Sequence, residues 1–203
     1  MRTFSLFILA TLTILISITS CETKKPKENP LIVYEDSKGI MERVVAIRKS
    51  VSAVVAEGLE LTLWATDSLA PDPIAMDIDN YGNVYVTRTN RQKNSEFDIR
   101  GHRDWMTPSI TLQSVENRRA FLKETFATEK SEENNWLKDL NNDSIHDWRD
   151  LSVEQDEVWM LKDTDKNGLA DVSTRILNDF NDEINDVAGA LLVRDNDVFV
   201  GIG

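Results

Sequence analysis

A short apolar run, a polar turn and a second short apolar run occur twice in this chain, and no other feature restricts its fold as closely. Ile74-Ala75-Met76-Asp77-Ile78 leads through Asp79-Asn80-Tyr81-Gly82-Asn83 into Val84-Tyr85-Val86. Ala188 to Val193 leads through a polar turn at Arg194 to Asp197 into Val198-Phe199-Val200, with Val84 and Val198 lying 114 residues apart. Apolar runs of this length joined by Asn, Asp and Gly are the mark of β-hairpins. Two further strands fit before the second hairpin, at Glu157 to Leu161 and at Ser173 to Leu177. Repeated four-strand units of this kind point to propeller blades. The expected fold class is therefore mainly β: a partial β-propeller with a helical insertion.

Upstream, Leu59, Leu61 and Leu63 alternate with Glu60, Thr62 and Trp64, the period of a half-buried strand that starts after Gly58 and stops at Pro71 and Pro73. Within 37–57, Ile40, Val44 and Ile47 recur at helical spacing and predict a short amphipathic helix. Its continuation through Val51, Val54 and Val55 is β-branched and reads equally well as helix or as extended chain. The incomplete propeller then spans 58–203, interrupted at about 88–150 by an insertion of different character. There Thr107-Pro108 opens a helix running from Ile110 to about Phe126, because Pro is favoured at a first helical position, and residues 128–135 read as a loop. A propeller needs at least about four blades of about 40 residues. The chain offers two recognisable units and stops at Gly201-Ile202-Gly203, directly behind a buried-type strand. The sequence is expected to be the N-terminal fragment of a longer protein.

Residues 1–20 read as a signal peptide, with Arg2 as a basic start and an apolar run from Phe4 to Ile18. Ile18-Thr19-Ser20 before the only cysteine, Cys21, resembles the cleavage box of bacterial lipoproteins, in which that cysteine is lipidated; a plain signal peptide is the alternative. Residues 21–36 then form a charged, flexible tether after the lipidated Cys21. The expectation is an exported protein, lipid-anchored to the bacterial cell envelope on its periplasmic or outer-membrane face. One cysteine excludes an internal disulfide framework, a Cys-based zinc site and a C-x-x-C-H haem attachment. With 23 basic and 35 acidic residues the formal charge is −12, which disfavours nucleic acid as a partner and favours divalent cations.

Two acidic loops carry the chemistry that the sequence offers a cation. In the first, Asp163, Asp165 and Asn167 occupy positions 1, 3 and 5, Gly168 position 6, Leu169 position 7 and Asp171 position 9 of a calcium loop. A hard cation needs several converging oxygens, and Gly permits the sharp turn. Position 12 is Thr174, which withholds the usual bidentate carboxylate; the other reading of this segment is a solvated hairpin turn. In the second loop, Asp139, Asn141, Asp143, Asp147 and Asp150 hold positions 1, 3, 5, 9 and 12, with Ser144 in place of Gly, and it reads equally as a calcium loop or an ordinary acidic turn. Helices do not clearly flank either loop, so an ion stapling a hairpin is expected rather than an EF-hand fold. Arg100-Gly101-His102-Arg103-Asp104-Trp105 is the best place for substrate contact, and His102 is a candidate general base whose other reading is a merely hydrogen-bonded loop histidine. P-loop, G-x-S-x-G, H-E-x-x-H and dinucleotide signatures are absent.

The stretches GLELTLWATDSLAPDPIAMDIDNYGNVYVTR, SEFDIRGHRDWM, WLKDLNNDSIHDWRDL and WMLKDTDKNGLADVSTRIL, followed by DVAGALLV and DVFVGIG, resemble the start of large exported bacterial proteins. These carry a propeller domain similar to soluble quinoprotein glucose/sorbosone dehydrogenases, are termed membrane-bound dehydrogenases, and often continue into a haem-c cytochrome domain. The resemblance spans about residues 50–203. It implies a propeller of six-bladed type, represented here by its N-terminal blades only, and oxidation of a sugar or alcohol with a quinone such as PQQ. It further implies electron transfer to haem c on a cytochrome acceptor. The haem is not bound by this chain, and no catalytic residue of the family is matched position by position. A non-catalytic scaffold that binds a carbohydrate or a protein is the alternative.

Overall fold

The computed structural model describes residues 31–92, 95 and 99–203. The signal peptide, Cys21 and the first part of the tether lie outside the described residues. Both hairpins expected from the sequence are present. β2 (Pro73–Ile78) pairs antiparallel with β3 (Val84–Arg88), setting Met76 opposite Val86 and Ile78 opposite Val84. Asp79 closes their turn by accepting from the backbone N–H groups of Tyr81 and Asn83, each at 2.9 Å, while Gly82 takes a φ of +84° that side chains resist. β6 (Ala188–Arg194) and β7 (Asp197–Ile202) repeat the design with Leu192 opposite Phe199. The two intermediate strands are β4 (Asp156–Lys162) and β5 (Val172–Phe180).

The strands from β2 to β5 form an up-and-down antiparallel meander, and β1 (Ile32–Tyr34) adds to its far edge, giving the order β1-β5-β4-β3-β2. The end of the expected tether is thus a strand, because the apolar residues at 31–34 find the free edge of β5. The β6–β7 hairpin is a separate two-stranded sheet that packs beside β2 and β3. The Val193 N–H donates to Asp77 across that contact at 2.6 Å. This bond, and then one from the Ile78 N–H, hold the Asp77 carboxyl below the ordinary aspartate range. The described residues are therefore mainly β, with seven strands and three α-helices, and both sheets are open.

Alternation decides which side chains form the core. Val84, Val86, Trp159 and Leu161 share one face of the meander, packed under Leu69 and Ala170 and bordered by Trp64, Ala65 and Ala70. Each fully buried Val or Leu stabilises the fold by about 1.5–3 kcal/mol relative to its exposed state. Helix α1 (Ser37–Ser50) places Ile40 and Val44 against Leu169 and Leu63. It ends as Val51 turns to extended backbone (φ −86°, ψ 121°), so the β-branched segment that could have continued it is not helical.

Two local expectations are corrected. Residues 59–66 form no strand: of the three alternating leucines, Leu59 and Leu61 are 71% and 63% exposed and only Leu63 reaches a core cluster. Alternation prepares a segment for pairing, but the edges of the five-stranded sheet are β1 and β2; the Trp64 carbonyl instead accepts from the Ala170 N–H at 2.7 Å. In the insertion, one helix becomes two, α2 (Arg103–Ile110) and α3 (Val115–Thr125). Pro108 lies late in α2 rather than at a helix start, and the Thr111 hydroxyl caps the Pro108 carbonyl at 2.7 Å as α2 ends. Ser114 opens α3, its hydroxyl accepting from the Asn117 N–H at 3.1 Å. Residues 128–135 contain one 3₁₀ turn, Thr128–Lys130. The insertion has its own core of Leu122, Phe126, Leu137 and Leu151, bordered by Trp105, Phe121, Trp148 and Ile184.

Candidate functional site: two acidic loops and an aromatic stack

The Asp163 loop joins β4 to β5. The Asp163 carboxylate accepts from the backbone N–H groups of Asn167 (3.2 Å) and Gly168 (2.9 Å). Asp165 accepts from the Asn167 N–H at 3.2 Å, and the Asn167 side-chain oxygen accepts from the Leu169 N–H at 2.9 Å. Lys166 and Gly168 both take left-handed backbone, at φ +60° and +90°. Asp171, in ninth place, accepts from the Thr164 N–H (2.9 Å) and the Thr164 hydroxyl (2.5 Å), which closes the loop at its base.

The Asp139 loop repeats this geometry from position 1 to position 7. Asp139 accepts from the N–H groups of Asp143 (3.1 Å) and Ser144 (2.9 Å), Asn141 from that of Asp143 (2.9 Å), and Asp143 from that of Ile145 (2.9 Å). Its left-handed residues are Asn142 and Ser144, at φ +60° and +64°. Ser144 takes the conformation that Gly168 takes in the other loop, at a cost of about 1 kcal/mol.

What fills the two loops differs. The Arg149 guanidinium reaches back over the Asp139 loop, with Nη2 3.0 Å from Asp143 and 2.8 Å from Asp147. Its Nε lies 3.0 and 3.1 Å from the two Asp147 oxygens. Burial opposes the charge on Asp147, but hydrogen bonds from the Arg149 side chain and backbone and from Thr128 outweigh it and hold this carboxyl below the ordinary aspartate range. The same contacts with Asp147 raise the Arg149 value further. Asp150 is fully buried and serves the backbone, accepting from the N–H groups of Leu140 (2.8 Å), Asn141 (3.3 Å) and Asp147 (3.0 Å). Among the described residues, no Lys or Arg forms an ion pair with Asp163, Asp165 or Asp171.

The donors of the Asp163 loop, two carboxylates, the Asn167 amide oxygen and the Leu169 carbonyl, are all hard oxygens and have the chemistry a calcium ion requires. Among the described residues, no group of three or more His, Cys, Asp or Glu side chains is gathered to hold a metal. Any ion here would depend on the Asn167 and Leu169 oxygens as well as on acids. In the Asp139 loop, by contrast, Asp143 and Asp147 face a guanidinium.

His102 stands at the start of α2 and stacks on Trp105, with centroids 3.7 Å apart and planes 8° from parallel. Trp136 leans on the same imidazole at 4.5 Å, and Phe126 meets the Trp105 ring edge-on at 5.4 Å. Trp136 is 50% exposed, so the stack presents an aromatic surface to solvent. This imidazole is positioned by ring stacking on Trp105 and Trp136. His146 is elsewhere engaged, its Nδ1 2.6 Å from the Leu137 carbonyl oxygen. Sequence reasoning missed Arg149 as the partner of the second loop, although a cation at position 11 of a candidate calcium loop was the available signal. Comparison with protein-family models, with curated proteins and with solved structures finds no match.

Proposed function

We propose that the chain is part of a lipid-anchored, calcium-binding propeller protein of the bacterial cell envelope, with Cys21 as the lipidated residue. The observation that carries this reading is the Asp163 loop, whose oxygens are arranged by left-handed turns at Lys166 and Gly168 on the hairpin between β4 and β5. The blade reading is supported by the four-strand meander and by the next hairpin packing alongside it. Leu192 and Phe199, each 54% exposed, share the outward face of that hairpin, where a further blade would cover them. In the longer protein, the resemblance noted above adds a sugar or alcohol dehydrogenase that uses a quinone and passes electrons to haem c.

Saturating calcium is expected to raise the melting temperature. At a free concentration of 100 times Kd, a ligand bound only by the folded state stabilises by about 2.7 kcal/mol, which corresponds to about 5–10 °C for a chain of this size. Asp163→Ala with Asp165→Ala should abolish that rise; a rise of unchanged size in the double variant would overturn the assignment of the ion to this loop.

A non-catalytic binding scaffold is the second reading, favoured by the half-exposed Trp136 beside the His102 stack, since such a ring suits the apolar face of a sugar. The two readings part on the full-length protein with added PQQ. The dehydrogenase reading expects a cofactor absorbance that a sugar or alcohol reduces, and the scaffold reading expects none.

A further inference from the structure

We propose that Arg149 is the resident counter-ion of the Asp139 loop, standing where a divalent cation would stand, so that this loop is closed without metal and the Asp163 loop alone takes calcium. The proposal deepens the calcium reading above and rests on it for the identity of the excluded ion. The two loops share one conformation from position 1 to position 7, down to the left-handed residues at positions 4 and 6. Backbone geometry therefore cannot distinguish them as cation sites, and the difference lies in charge. In the Asp139 loop the carboxylates at positions 5 and 9 both contact one guanidinium, at 3.0 and 2.8 Å. Asp147, the position-9 acid, is fully buried and receives the Thr128 hydroxyl as well. A calcium ion would have to expel the arginine and rebuild these bonds. At the Asp163 loop, the corresponding residue of the repeat, position 11, is Ser173, which carries no charge.

Calcium titration of the full chain in detergent, by calorimetry, tests this. The wild-type chain is expected to bind one ion, Asp163→Ala with Asp165→Ala none, and Arg149→Gln two. In calcium-free buffer Arg149→Gln should melt about 5–10 °C lower, because the buried Asp147 carboxylate loses its counter-ion and keeps only the Thr128 hydroxyl and a backbone N–H. Calcium should restore most of that loss. Arg149→Lys keeps a positive charge in place and is expected to fold and still to exclude the second ion. Two ions in the wild type, an ion retained by the Asp163/Asp165 double variant, a second ion in Arg149→Lys, or an Arg149→Gln deficit that calcium leaves unrepaired would each overturn the proposal. If the wild type binds no calcium, the calcium reading of the Asp163 loop falls. The repair of Arg149→Gln by calcium still decides the role of Arg149.

Discussion

Asp156→Ala is expected to cost about 3–5 kcal/mol of stability, one of the two largest losses anticipated for a single substitution in this chain. Asp156 opens β4 and is fully buried. One of its oxygens accepts from the Thr89 hydroxyl at 2.8 Å and from the N–H groups of Asn90 (3.2 Å) and Arg91 (3.4 Å); the other accepts from the Ala188 N–H at 2.8 Å. One carboxylate thereby joins the exit of β3, the start of β4 and the start of β6, and alanine would take this acceptor from the Asn90 and Ala188 N–H groups, while the Arg91 N–H keeps the Thr89 hydroxyl oxygen at 3.2 Å. Asp156→Asn keeps one oxygen but turns an NH2 donor toward a donor, so a loss of about 1–3 kcal/mol is expected. Urea unfolding measures both. Amide exchange should show β6–β7 losing protection before β3 and β4, since Ala188 is the fastening point of that hairpin. A loss under about 1 kcal/mol for alanine would mean that water replaces the carboxylate and that the site is not a fastening.

The contrast between what could and could not be read from the chain follows from the range of the interactions. The hairpins at β2–β3 and β6–β7 were legible because the turn residues and the alternating apolar positions that make them are neighbours in sequence. The strands β4 and β5 were legible for the same reason, with the Asp163 loop as their punctuation. Leu59-Glu60-Leu61-Thr62-Leu63 has an equally good alternating pattern and is not a strand, because a strand also needs an edge to pair with, and that is a property of distant segments. β1 shows the converse: Ile32–Tyr34 is too short to announce itself and is made a strand by the free edge of β5. The split of the insertion helix turned on Ser114, a cap that the Thr107-Pro108 pair obscured. Position counting found both acidic loops. It could not say that Arg149 would fold back onto Asp143 and Asp147, because that depends on the 3₁₀ turn at Asp150–Ser152 and on the burial of Asp147.

Arg91 presents the complementary case to Asp156, and its replacement by leucine is likewise expected to cost about 3–5 kcal/mol. Its side chain is fully buried, an uncommon position for a guanidinium, and it donates to three backbone carbonyls from two separate segments. Nη1 reaches the Asn185 carbonyl at 2.7 Å, and Nη2 those of Leu151 at 3.0 Å and Asp182 at 3.2 Å. Leu151 closes the insertion, while Asp182 and Asn185 lie in the link between β5 and β6. Arg91, just past β3, therefore ties the beginning of the insertion to its end and to the next hairpin. Leucine would fill much of the volume but remove the guanidinium donors from the Leu151 and Asn185 carbonyls, while the Asp182 carbonyl keeps the Asn185 N–H at 2.9 Å. Lysine separates charge from geometry: it keeps the cation, yet a single ammonium cannot reproduce a planar fork aimed at several carbonyls. Arg91→Lys is accordingly expected to lose nearly as much as Arg91→Leu in urea unfolding. Recovery of Arg91→Lys to within about 1 kcal/mol of wild type would show that charge alone suffices there, and that the guanidinium plane is not what docks the insertion against the sheets.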